Sequence, residues 1–266
     1  MKHVSGIKKT VLAASVAATM AAGLAAPSIA VAEVSGTVGV SNMYFWRGQD
    51  LTEGNAQVFG SLDYAHSTGL YAGIWGSSEL GGTEYDLYAG YAGSLGDFSY
   101  DIAYVDYNYP NSGEYAGEYR DLQEVILRLG FAGFSAAGYF GVGDYGRGDD
   151  SVDNEDNYYT VGYAYDKYGI TVGTWDFEAD DTNYTHVDLS YALTDELGFT
   201  VSKVVDADEL SSMEDNDDTL FVVTYALSFK RLQEHGAGAL PPPLIFPPWG
   251  PPWSSLETQA GPTVFF

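Results

Sequence analysis

Between residues 33 and 229 apolar and polar positions exchange with a period of two, segment after segment. That period places alternate side chains on opposite faces of a strand. Twelve segments carry it: 34–46, 56–65, 69–79, 84–93, 97–108, 119–131, 134–144, 157–166, 169–178, 183–193, 197–206 and 219–229. Most approach the roughly 9–11 residues that a tilted strand needs to cross a bilayer. The connections add a second rhythm. RGQDLTEGN, ELGGT, NYPNSGEYAGE, DYGRGDDSVDNED, EADDT and ADELSSMEDNDD alternate with the shorter HST, GSLG, AG, KY and TDE. A barrel with loops at one end and tight turns at the other produces this pattern, and a soluble sandwich has no cause to. The expected fold is all-β: an antiparallel up-and-down transmembrane barrel of about twelve strands. Odd connections should lie outside the cell and even turns in the periplasm.

The two faces of these strands differ in kind. Tyr85, Leu87 and Tyr91, then Phe98, Ile102 and Tyr104, then Tyr159, Val161, Tyr163 and Tyr165 set aromatics around aliphatics. This suits an apolar band between two aromatic girdles. The opposite faces hold Asp63, Asp86, Asp101, Glu124, Arg128, His186 and Asp188, among Gly, Ser and Ala. A dry core would accept such carboxylates only at high cost, whereas a wet lumen accepts them readily, so these seven are the expected pore lining. Segments 169–178 and 197–206 resist assignment. Ile170 and Val172 face opposite Trp175 and Phe177 by parity, and Lys203 lies between Val201 and Val205.

The ends of the chain are of other material. Lys2, Lys8 and Lys9 precede the apolar run Val11–Leu24, then Pro27 and the small-residue site Ala30-Val31-Ala32. Residues 1–32 therefore read as a secretory signal peptide rather than a membrane anchor. From Lys230 onward the alternation stops, and eight of the ten prolines crowd into 230–266. Proline removes ladder N–H groups, so this segment reads as a disordered tail. A proline-rich recognition arm and a read-through or frameshift extension are the alternatives, and the abrupt change of pattern favours the second. Just before it, Phe221, Val223, Tyr225, Leu227 and Phe229 alternate and end on an aromatic. That resembles the C-terminal assembly signal by which bacterial barrel-assembly machinery takes up outer-membrane proteins, displaced here from the chain end.

Charge narrows the functional classes. Eleven Lys and Arg against 37 Asp and Glu give a net charge of −26, and loss of the three signal lysines takes it to −29. Nucleic-acid binding through phosphate neutralisation is excluded at this balance. There is no cysteine, so disulfides and thiolate metal sites are out. The acidic runs at 149–156 and 213–218 do not match the EF-hand spacing, and read as solvated loops; no metal and no cofactor is expected. His186, Asp188 and Ser190 share one strand face, but positions two apart in a strand are about 7 Å apart, too far for a nucleophile–base pair. No enzyme is expected.

Two stretches resemble a known family. In GVSNMYFWRGQDLTEGNAQVFGSLDYAHSTGLYAGIWGSS (39–78), Arg47-Gly48, Asp63-Tyr64, His66, Gly69, Tyr71, Gly73 and Trp75 match a family pattern. The pattern is S-x-Y-x-F-R-G followed by G-x-D-Y-x-H-x-S-G-x-Y-x-G-x-W, from the TorF-type porins of proteobacteria. YDLYAGYAGSLGDFSYDIAYVDYNYP (85–110) resembles their next hairpin. The similarity covers about 37–229 and implies an outer-membrane barrel with a channel role. It brings no substrate and no catalytic residue. The expectation is a passive, cation-favouring pore for small hydrophilic solutes, in the outer membrane of a Gram-negative bacterium. Its neighbours would be membrane lipid and lipopolysaccharide. The alternatives are a non-conducting structural or adhesion barrel with acidic outer loops, and a barrel hydrolase using His186.

Overall fold

The computed structural model describes residues 33–80, 82–110, 122–145, 152–211, 213 and 218–232. Twelve strands close one antiparallel barrel. They are β1 (Glu33–Ser41), β2 (Gln57–Ala65), β3 (Leu70–Glu79), β4 (Gly82–Leu95), β5 (Phe98–Asn108), β6 (Leu122–Phe131), β7 (Phe134–Val142), β8 (Asn157–Tyr165), β9 (Tyr168–Asp176), β10 (Tyr184–Ala192), β11 (Leu197–Ala207) and β12 (Thr219–Leu232). Each pairs with its sequence neighbour. The seam is β1 against β12, from Glu33↔Leu232 to Ser41↔Thr224. Closure leaves the barrel without an edge strand, which is the condition for crossing hydrocarbon with strands.

The alternation becomes an outside and an inside. Val38, Val58, Leu62, Ile74, Leu87, Ile102, Val161, Leu189 and Phe221 point outward and are exposed. Asp63, Asp86, Asp101, Glu124, Arg128 and His186 point inward and are buried. Phe221, Val223, Tyr225, Leu227 and Phe229 all lie on the outer face of β12. The two segments that sequence parity left open are now placed. Trp175 faces the lumen at 5% exposure while Ile170 faces out. Lys203 stays on the outer face of β11, near the long-loop end.

Three boundaries differ from the sequence expectation. β1 ends at Ser41 rather than 46, because residues 42–56 turn inward. β3 and β4 run on to a two-residue connection at 80–81, paired up to Glu79↔Gly82, so the third connection breaks the long–short rhythm. β12 continues past Phe229 to Leu232, and Lys230 reaches Glu33 across the seam at 3.3 Å. The signal segment 1–32, the tail from 233, and parts of the acidic runs (149–151 and 214–217) lie outside the described residues.

The inward turn is the feature that positions everything else. Phe45–Trp46 pairs with Gln49–Asp50 as a small hairpin. Its two-residue turn is Arg47-Gly48, both at positive φ (49° and 89°), the geometry of a type I′ turn. Arginine is uncommon at such a position, so the surroundings must hold it there. Asp50 stiffens the base: Oδ1 accepts from the Thr52 N–H at 2.9 Å and Oδ2 from the Gly54 N–H at 2.6 Å. Thr52 Oγ1 in turn accepts from the Tyr44 N–H at 2.9 Å.

Candidate functional site

The lumen has two levels. At the long-loop end the tip of the inner hairpin is held by Glu124, the third residue of β6. Arg47 donates to Glu124 through Nη1 at 2.7 Å and through Nη2 at 2.6 Å, a two-pronged ion pair. The side chains of Arg47 and Glu124 are only 6% and 2% exposed. Four rings box the guanidinium: Trp46, Tyr139, Tyr158 and Trp175, with centroids 4.4–4.8 Å away. The fork matches a carboxylate, and its flat faces suit aromatic stacking, which an ammonium group would do less well. Burial alone would work against the Arg47 charge. The adjacent Glu124 carboxylate and Tyr107 more than offset it, holding the pKa above its ordinary value. Tyr107 also donates its hydroxyl to Glu124 at 2.7 Å.

The hairpin touches the far wall as well. Tyr184, the first residue of β10, donates its hydroxyl to the Arg47 carbonyl at 2.9 Å. Gly48 lies against the His186 ring, 2.7 Å from where a side chain at 48 would begin. His186 is fully buried. A carboxylate only accepts, so Nδ1–H donates to Asp188 at 2.9 Å and Nε2 accepts from the Tyr158 hydroxyl at 2.8 Å. Both ring nitrogens are thus spoken for. Ser202 stands opposite Asp188 in the ladder, on the wrong side of the imidazole for a serine–histidine–aspartate arrangement.

Toward the short-turn end one carboxylate has a cation and the other only neutral donors. Asp101 accepts from Arg128 at 2.7 Å and from the Tyr71 hydroxyl at 2.7 Å. Asp63 accepts from Tyr88 and, at 2.8 Å, from Ser61. The structure therefore brings Glu124, His186 and Asp188 to the hairpin, and groups Asp101 with Arg128 and Asp63 below. Asp86 sits apart, beside Glu84 and Glu79 near the long-loop end of β3 and β4.

Parity assigns Asp63, Asp86, Asp101, Glu124 and Asp188 to the inner face, where they lie, but passes over Glu84 and names no ion-pair or hydrogen-bond partner. Arg47 was marked only as a matching residue, without a role. The inward aromatics Tyr71, Trp75, Tyr88, Tyr107, Tyr139, Tyr158, Trp175 and Tyr184 were missed. One signal was available: Tyr and Trp alternate with Gly and acidic residues on the polar face, as in Tyr71-x-Gly73-x-Trp75. Gly73 shows why, since the Tyr88 ring lies over it where a Cβ would stand.

Comparison with known proteins follows this geometry. The family described as "Bacterial protein of unknown function (Gcw_chp)" matches residues 25–228. No curated protein matches the chain. Among solved structures the chain is similar to the KdgM porin, at 9% identity over 76% of this chain and 99% of that one, with a TM-score of 0.43. It is also similar to outer membrane phospholipase A from Escherichia coli, at 13% identity over 80% and 96%, TM-score 0.43. Acinetobacter baumannii OccAB4 follows at 12% identity over 74% and 62%, TM-score 0.35.

Proposed function

This chain belongs to the bacterial Gcw_chp family, and from that premise we propose that it is an outer-membrane pore for small hydrophilic solutes, favouring cations, whose mouth is narrowed by its own first loop. The observation that carries the reading is the reversal of polarity across one wall. The outer face is exposed Leu, Val, Ile, Phe and Tyr, and the inner face carries Asp63, Glu84, Asp86, Asp101, Glu124 and Asp188. Such an exterior suits lipid, and such an interior suits a solute path. The resemblance to TorF-type porins points the same way. In an outer membrane the long-loop end would face outside and the short turns the periplasm.

The cation preference follows from the sign of the lumen. Arg47 and Arg128 neutralise Glu124 and Asp101, which leaves Asp63, Glu84 and Asp86 without a basic partner among the described residues. Acidic lumen groups favour cations, and low-dielectric walls focus their field. A second reading has its own support: the seated hairpin favours a barrel that does not conduct at rest. The hydrolase alternative is disfavoured by the burial of His186 and the use of both its ring nitrogens. The test is planar-bilayer conductance of the refolded mature chain. Ohmic, cation-selective steps support the pore. A chain that assembles as a barrel, yet conducts neither with the hairpin nor after its removal, is a structural barrel.

A further inference from the structure

We propose that the long-loop mouth of the barrel carries a binding site for a hard divalent cation, Ca²⁺ or Mg²⁺, held between Glu84 and Asp86 of β4 with Glu79 of β3 at its rim. The site goes beyond the pore reading and holds whether or not the barrel conducts.

The ladder sets the side chains on one face. Glu84 stands opposite Ser77, Asp86 opposite Trp75, and Glu79 opposite Gly82. Glu84 and Asp86 lie two residues apart on the inner face, and Glu79 is diagonal to Glu84 across the β3–β4 pair. Tyr44, at the foot of the inner hairpin, and Tyr109, just past β5, complete the surroundings.

Burial makes the cluster unusual. Glu84 is 2% exposed and Asp86 0%. Among the described residues no donor is placed within hydrogen-bonding geometry of either oxygen of these two carboxylates, or of Glu79 Oε1. Tyr44 and Glu79 lie beside Glu84, and Glu84 and the Asn108 backbone lie beside Asp86. The other fully buried lumen carboxylates are treated differently. Glu124 has Arg47 and Tyr107, and Asp101 has Arg128 and Tyr71. A buried carboxylate without a donor or counter-charge is expensive, and a fold that provides for two such groups elsewhere has a reason to leave these bare. A bound cation supplies the missing charge.

The chemistry fixes the class of ion. The donors are carboxylate oxygens, with no imidazole or sulfur at the site, and such a set selects hard cations. Among the described residues no group of three or more Asp, Glu or His side chains is placed to hold a metal ion. The ion is therefore held by one or two carboxylates, with solvent oxygens completing its shell, a mode Mg²⁺ commonly uses and Ca²⁺ tolerates.

The full chain, refolded in detergent and treated with chelator, tests this with Tb³⁺ as the probe. Trp75 is the cross-strand partner of Asp86, and its ring is 5.9 Å from that of Tyr44, so both are placed to sensitise emission. One saturable emission component, competed by Ca²⁺ or Mg²⁺, is expected. It should vanish in Glu84→Gln/Asp86→Asn and persist in the loop control Asp180→Asn/Asp181→Asn. Divalent metal should also raise the unfolding temperature of the wild type and not of the double variant. The amide changes remove buried charge, so the variant should fold; if it does not, Glu84→Gln alone is read the same way. Emission that survives the double change overturns the site. So does an unfolding temperature that ignores metal but rises on acidification, since the carboxyls would then be held by shared protons. Conductance is not part of the readout, so a silent barrel leaves the result intact.

Discussion

Replacing Arg47 with alanine is the most informative single change in this molecule. It removes a two-pronged ion pair to a carboxylate that is 2% exposed, and the cation from a box of four rings. What remains for Glu124 is the Tyr107 hydroxyl at 2.7 Å. Breaking a buried pair from one side costs about 3–5 kcal/mol, because the surviving charge stays buried and uncompensated. The cost falls on the seated hairpin. When the hairpin leaves, Glu124 regains solvent. Every 1.4 kcal/mol is a factor of ten, so the seated-to-released ratio should fall by roughly two to three and a half orders of magnitude. Water entering the seated state would reduce that, yet at least a tenfold effect should survive. The assay is single-channel recording in planar bilayers, with heat-modifiable gel mobility confirming that the barrel is intact. Open time should rise steeply for Arg47→Ala. It should rise less for Arg47→Lys, which keeps the charge but loses the fork. Gly48→Ala, which forces a Cβ against His186 in a positive-φ turn, should loosen the same seat. If Arg47→Ala assembles normally and its conductance equals the wild type, the hairpin is not the constriction.

Three further outcomes are expected. Reversal potentials across a KCl gradient should shift toward neutrality for Asp63→Asn/Asp86→Asn more than for Asp101→Asn, since Arg128 already balances Asp101 at 2.7 Å; an anion-selective channel, or equal shifts, would reject the lumen assignment. The chain has no native thiol, so a cysteine at Asp180 should react with an impermeant maleimide in intact cells while one at Ser67 stays protected, and the opposite pattern would invert the topology. Deleting 233–266 should leave heat-modifiable barrel formation unchanged, because the seam is already closed by Glu33↔Leu232; loss of the folded band would make the tail structural.

The barrel was legible because its information is local. A strand's two faces are written at period two, and closure follows once twelve such strands alternate with turns. Boundaries failed where a long-range partner overruled the pattern. Residues 42–46 continue the alternation of β1, yet Tyr44 is buried at 2% in the lumen and Phe45–Trp46 pairs backward with Gln49–Asp50. The Arg47-Gly48 dipeptide did not announce this, since arginine is not a usual residue of a type I′ turn. Its conformation is held by Glu124, 77 residues further along the chain.

The site was half legible for the same physical reason. Parity identifies which residues enter the lumen, but not at which height or against which neighbour, and height decides the chemistry. Asp101 and Asp86 look alike in sequence, both acidic and both flanked by outward aromatics or aliphatics. The β5–β6 register sets Asp101 directly opposite Arg128, whereas the β3–β4 and β4–β5 registers set Asp86 opposite Trp75 and Tyr107. One carboxylate therefore ends as half of an ion pair, and the other beside Glu84 with no basic partner among the described residues. Three connections of different length, 80–81, 96–97 and 109–121, join those strand pairs. A residue-by-residue count of lumen charge consequently overstates the field. The carboxylates that the register leaves without a basic partner among the described residues are Asp63 on β2 and Glu84 and Asp86 on β4.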